Sequence, residues 1–191
     1  MIKLRRPVFR RPAPGVWKAG PWAALAAIAL PLWAAAPAPA EAADQRLLGN
    51  FGEWTAYADT ESGGKICFMI AQPRKAEGDY SQRGDIHTMI THRPGEKSFN
   101  VINIVAGYPY KEQSEVELSV GRKTWSLFTQ GERAWAYDSD DPKIVEAIRQ
   151  GSTMVVKGTS SRGTLTTDTY SLTGSNAAYQ AISRECGVKV D

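Results

Sequence analysis

From Trp54 onward the chain is written in short runs in which polar and apolar residues alternate, and a period of two is the period of a β-strand. The clearest run puts Val116, Leu118 and Val120 on one face and Glu115, Glu117 and Ser119 on the other. That is a strand with one side in a core and one in water. Residues 54–58 and 86–92 alternate in the same way. Residues 66–71 and 99–106 are apolar on both faces apart from Asn100 and Asn103, so both of their sides need cover. Residues 124–129, 133–137, 153–157 and 164–172 complete the set. Gly121-Arg122, Gln130-Gly131 and Arg162-Gly163 lie between runs, where glycine supplies the positive φ of a tight hairpin turn. Hairpins at this spacing predict a mainly β protein, an antiparallel β-sandwich or partly closed barrel.

Two short helices interrupt the strands. Asp140 or Asp141 is placed to cap a helix whose first residue is Pro142, which carries Ile144, Val145 and Ile148 and stops at Gly151. Ser175 or Asn176 opens a second, which ends at Gly187. Its Ala178, Ile182 and Cys186 recur every four residues and share a face. On the strand of residues 66–71, Cys67 and Met69 point to one side and Ile66, Phe68 and Ile70 to the other. The expectation is that the C-terminal helix covers the Cys67 side and that a Cys67–Cys186 disulfide pins it there. These are the only two cysteines in the chain. An even pair in an oxidising compartment defaults to a disulfide. A redox or metal pair is the alternative, weakened by the lack of a C-x-x-C spacing and of nearby histidine.

The compartment is read from the other end. Lys3, Arg5, Arg6, Arg10, Arg11 and Lys18 precede an uncharged apolar run over residues 22–36, followed by Ala38-Pro39-Ala40-Glu41-Ala42. That is the layout of a cleaved export signal over residues 1–42, leaving a single domain over 43–191 and a periplasmic, outer-membrane-associated or secreted product. An uncleaved anchor over the uncharged stretch 19–40 is the rival reading, but Pro31, Pro37 and Pro39 interrupt that stretch. Arg5-Arg6 loosely fits a twin-arginine signal, so the export route stays open. Whole-chain charge is +3, yet a product starting at Ala43 keeps seventeen basic against nineteen acidic residues, or −2. The basic surplus therefore belongs to export, and no Lys/Arg cluster remains to neutralise several phosphates, which argues against a nucleic-acid partner. No later segment is apolar enough to span a membrane.

No catalytic set assembles from the motifs. His87 and His92 are the only histidines; five residues apart on a strand, they face opposite sides. One is expected partly buried and the other at a loop edge before Pro94. Gly-x-Ser-x-Gly is absent. Gly158-Thr159-Ser160-Ser161-Arg162-Gly163 lacks the lysine of a phosphate loop and reads as a turn. Asp138, Asp140 and Asp141 invite a calcium reading, but helix capping accounts for them better. Thr164, Thr166, Thr167 and Thr169 with Asp168 offer hydroxyls to a sugar, or simply form an exposed β-branched face. Trp54, Trp125 and Trp135 belong to strand packing. Gly107-Tyr108-Pro109-Tyr110-Lys111 is the best candidate for aromatic recognition, with a proline-fixed turn resting on the core as its plainer account. No catalytic, cofactor or metal residue is assigned.

Several of these pieces, in order, carry a resemblance. They are Trp54 ahead of Cys67; Ile90-Thr91-His92-Arg93-Pro94; Ala106-Gly107-Tyr108-Pro109; residues 158–164; Asp168-Thr169-Tyr170-Ser171-Leu172-Thr173-Gly174; and Ala177-Ala178 to Cys186. Together they resemble the invasion-associated locus B family of secreted bacterial proteins, over roughly residues 50–188. The resemblance implies an exported, envelope-associated protein of a Gram-negative bacterium, in a family linked in pathogens with host-cell entry and bringing no catalytic residues to carry over. Many members look as if they have a second, central cysteine pair, which this chain lacks. The function expected is non-enzymatic binding of a protein or envelope component, without a cofactor. A periplasmic hydrolase with an unrecognised site and a carrier of a small apolar ligand are the alternatives.

Overall fold

The computed structural model describes residues 45–62 and 64–189. The export signal expected over residues 1–42, and its cleavage site, lie outside the described residues. Eleven strands follow in chain order: β1 (Arg46–Phe51), β2 (Trp54–Glu61), β3 (Gly64–Ala71), β4 (Lys75–Gly78), β5 (His87–Arg93), β6 (Ser98–Val105), β7 (Glu115–Val120), β8 (Lys123–Gln130), β9 (Arg133–Trp135), β10 (Thr153–Thr159) and β11 (Leu165–Ser171). Helix α1 (Asp141–Gln150) sits between β9 and β10, and α2 (Ser175–Glu185) follows β11. The mainly β class and the presence of both helices are as the sequence pattern specifies.

All eleven strands join one antiparallel, open sheet in the order β1-β2-β3-β5-β6-β9-β8-β7-β10-β11-β4. The sheet curls. The Glu53 amide donates to Thr173 O and the Trp54 indole to Ser171 O, so the β1–β2 turn is tied to the chain leaving β11. Gly174 makes this approach possible: its φ is +89°, and a Cβ there would lie 1.9 Å from Phe51 O. Only glycine fits such a contact. Inside the curl, Trp54, Met69, Ile90, Leu118, Met154 and Tyr170 are fully buried, joined by Ile144 and Ile148 of α1 and Ile182 of α2.

Two strands carry no sequence signal. β1 has a bulge between Leu47 and Gly49, which breaks its alternation. β4 is a four-residue polar edge, Lys75-Ala76-Glu77-Gly78, that pairs only with β11. Because β4 lies at the far edge from its chain neighbours β3 and β5, residues 72–86 form a strap that leaves β3, touches β11 and returns.

Helix α2 covers the Cys67 face as expected. Ala178 and Ile182 are fully buried, and Cys67 is bonded to Cys186 with an S–S distance of 2.04 Å. Three local expectations are corrected. Neither Asp140 nor Asp141 caps α1 through its side chain. Asp140 instead pairs with Lys143, and Asp141 turns inward, where its Oδ1 accepts the amide of Ile102 on β6 at 3.0 Å. A neighbouring strand competed for the carboxylate and won. His92 is not at a loop edge: it is fully buried, because β5 lies between β3 and β6 and α2 packs over it. The threonine face of β11 is not all exposed either. Thr166 and Asp168 are 2% accessible, because the strap returns over them.

Candidate functional site

A cleft of about 580 Å³ opens where three separate segments converge: strap residues 79–84, residues 107–109 after β6, and the β10–β11 turn at 160–164. Each wall is fixed by backbone bonds. The Gly84 amide donates to Gly107 O at 2.9 Å, and the Ser161 amide to Pro109 O at 2.8 Å. Tyr110 pairs with Ser160 as an isolated bridge. Gly107 lets the strap come so close: its φ is +69°, and a Cβ would meet Gly84 O at 2.5 Å.

The cleft is anchored by Arg83. Its Nη1 and Nη2 donate to Asp168 Oδ1 and Oδ2, both at 2.7 Å, while its Nε donates to Ala106 O at 2.9 Å. The two side chains are 4% and 3% accessible. A planar guanidinium meeting a carboxylate by two parallel bonds is the strongest form of such a pair. Tyr80 and Tyr108 rings lie 5.2 and 4.9 Å from the guanidinium carbon, adding cation–π contact on a desolvated group. Burial works against the charge on Arg83, but the hydrogen bonds and charge of Asp168 outweigh it and hold the guanidinium above its ordinary value. Burial pushes the Tyr108 phenol up, opposed by its bond with Thr166 Oγ1 at 2.6 Å and by Arg83. Tyr108 therefore stays neutral and polar at the cleft wall.

The ionisable side chains lining the cleft are the carboxylates of Asp79 and Glu132, the guanidinium groups of Arg83 and Arg162, and the phenols of Tyr80 and Tyr108. Histidine and cysteine are absent from the described residues that line the cleft. His92 does contact a serine, Ser183 Oγ, at 3.1 Å, but both are fully buried and His92 Nδ1 accepts the Asn100 amide rather than facing an acid. His87 is half-buried on β5. Of the three acids Asp138, Asp140 and Asp141, Asp140 pairs with Lys143 and Asp141 accepts the Ile102 amide, as described for α1. The large side chains named above pack into the interior of the curl.

Of the residues singled out by sequence, the structure gathers Tyr108, Ser160, Ser161, Arg162, Thr164, Thr166 and Asp168 around this one cleft. Tyr110 is 5% accessible and packs over Gly158, so of the two tyrosines only Tyr108 lines the cleft. Sequence reasoning missed Arg83 and Tyr80. They lie in a polar stretch without periodicity, and nothing in the sequence marks Asp168 as buried and in need of a partner.

The sequence model of a family described as Invasion associated locus B (IalB) protein matches residues 54–183, more than half of the chain. The match spans β2 to α2 and takes in Arg83, the 107–109 loop, the 160–164 turn and Asp168. No curated protein and no solved structure matches.

Proposed function

We propose that this chain, which belongs to the invasion associated locus B family, is an exported envelope protein that binds a protein or envelope component through the Arg83–Asp168 cleft and performs no chemistry of its own. The observation that carries this reading is convergence. The stretches at 106–109 and 158–164, which carry the family resemblance, are distant in sequence and meet at one polar cleft, and Asp168 of the stretch at 168–174 holds the Arg83 that anchors it. A rigid recognition site loses little freedom on binding. Envelope placement is supported by the export-signal layout of residues 1–42 and by family membership. Among the described residues no helix is long and apolar enough to cross a membrane. Host-cell interaction rests on the family description alone and is the outermost part of the proposal.

The test is crosslinking in the exporting cell. A photoreactive residue at Ser161, exposed in the β10–β11 turn, is compared with one at Lys123 on the β7–β8 hairpin. A discrete adduct from position 161 and none from 123 is the expected result. Monomer alone from both positions overturns the reading.

A further inference from the structure

We infer that the cleft takes a neutral saccharide chain; this rests on the binding reading above and gives its ligand a chemical class. The lining is rich in uncharged hydrogen-bonding side chains, among them Ser81, Gln82, Ser161, Thr164 and Thr166. Its charges leave no surplus of cations. Arg83 is consumed by Asp168, and the exposed Arg162 is a single cation in a lining that also holds two acids, Asp79 and Glu132. A polyanion would ask for a surplus of cations, which is not there. A peptide would ask for apolar side-chain pockets, and the lining contains no Leu, Ile, Val, Met or Phe. A sugar asks for something else: hydroxyl and amide partners on its rim and a flat carbon-rich surface for its ring face. Tyr80 supplies that surface. It is 36% accessible, and its phenol is held by the carbonyl of Ala76 at 2.9 Å, which fixes the ring.

The cleft is also divided in a way that suits a sugar. Groups that shape it are already satisfied: Tyr108 with Thr166, Ser160 Oγ with the Thr164 amide, and Arg83 with Asp168. Gln82, Ser161 and Arg162 make no side-chain hydrogen bond or ion pair among the described residues, and they stand at the rim where a ligand's hydroxyls would arrive. Satisfied floor and available rim is the pattern of a pocket that orients a polar ligand without rebuilding itself.

Neutral saccharides reach an envelope protein from two sources, the bacterium's own wall and a host surface. The experiment therefore uses two probes, triacetylchitotriose and lacto-N-tetraose, titrated to millimolar concentration into the 15N-labelled mature protein. The expected result is amide shifts confined to residues 79–84, 107–109 and 160–166 with at least one probe; a probe that binds alone identifies the source, and binding of both assigns recognition to the N-acetylglucosamine they share. The double variant Ser161→Ala/Arg162→Ala, in an exposed turn, should weaken that binding by roughly five- to twentyfold, the loss of one or two hydrogen bonds. Thr164→Val serves as a second variant should the first unfold. Silence of these amides with both probes overturns the saccharide inference, and so do shifts that both variants leave unchanged. If the probes fail while position 161 still crosslinks to an envelope protein, the saccharide class falls and the binding reading stands. If both fail, the cleft is not the site.

Discussion

His92 is the cross-strand neighbour of Cys67 in the β3–β5 ladder, and both are fully buried beneath α2. The imidazole is held in one tautomer. The Asn100 amide donates to Nδ1 at 3.1 Å, which leaves Nε2 to carry the proton and donate it to Ser183 Oγ. Burial pushes His92 down to about 4. The unfolded chain therefore takes up a proton near pH 6.5 that the folded chain refuses until about pH 4. Stability contributed by neutral His92 is complete above pH 6.5 and is lost as pH falls toward 4. The full gap is worth at most about 3 kcal/mol. His92→Gln keeps an acceptor and a donor without the charge, so urea unfolding at pH 7, 5.5 and 4 should show a shallower acid loss than the parent. An unchanged slope removes His92 from the account.

Asp141 runs the other way. Burial, with Asp138 and Asp140 nearby, raises it to about 6, although the Ile102 amide works in the opposite sense. An acid raised on folding contributes stability that is present below its unfolded value and lost as pH rises through the folded one. Between pH 4 and 6 it thus offsets part of the His92 effect. Asp141→Asn keeps the oxygen that accepts from Ile102 and loses the charge. The variant should be more stable than the parent by about 1–3 kcal/mol at pH 7.5, and the gain should vanish near pH 4. Equal midpoints at both pH values would contradict it.

The bond between Cys67 and Cys186 closes a loop across 119 positions. In the chain-entropy account, a link of that span restricts the unfolded chain enough to stabilise the fold by about 4–5 kcal/mol. It also holds the end of α2 against β3, whose contacts with the sheet include the buried Ala178 and Ile182. Cys67→Ser/Cys186→Ser should lower the unfolding free energy by about 2–5 kcal/mol and speed hydrogen exchange in α2 well before the β7–β8 hairpin. Exchange in α2 that matches the parent would show that packing alone holds the helix.

What the sequence declared and what it withheld separate along physical lines. Val116, Leu118 and Val120 announce β7 because one face is buried and the other wet, and Ala178, Ile182 and Cys186 announce the covered side of α2 for the same reason. Periodicity reports burial, so wherever burial is one-sided the element is legible. β4 is polar and lies at an edge, paired with β11 alone, so it leaves no pattern. Local signals also mislead when a distant group outbids them. Asp141 carries a cap signal, yet the Ile102 amide, 39 positions away, takes its carboxylate. The cleft was half legible: Tyr108, the 158–163 turn and Asp168 drew notice individually, but no local rule links Asp168 to Arg83, 85 positions earlier.

The last prediction follows from that pair. Arg83 and Asp168 are both almost wholly out of water, and this pair ties down the strap of residues 72–86 alongside the four β4–β11 register pairs and the backbone bonds from Arg74 to Thr169 and from Gly84 to Gly107. Removing one partner of a buried ion pair leaves the other charged and desolvated, which typically costs about 3–5 kcal/mol. Arg83→Met should therefore destabilise strongly, because Asp168 loses both bonds to its carboxylate. Adding Asp168→Leu removes the stranded charge, and the double variant should recover much of the loss although it has no ion pair at all. Limited proteolysis separates local from global effects. In Arg83→Met, cleavage should begin within residues 79–84, before the rest of the fold opens. Added salt should leave the parent nearly unchanged, since buried charges are little screened. If the single and double variants unfold at the same denaturant concentration, the pair acts through packing and not through charge. The strap would then be held by Tyr80, Tyr108 and β4.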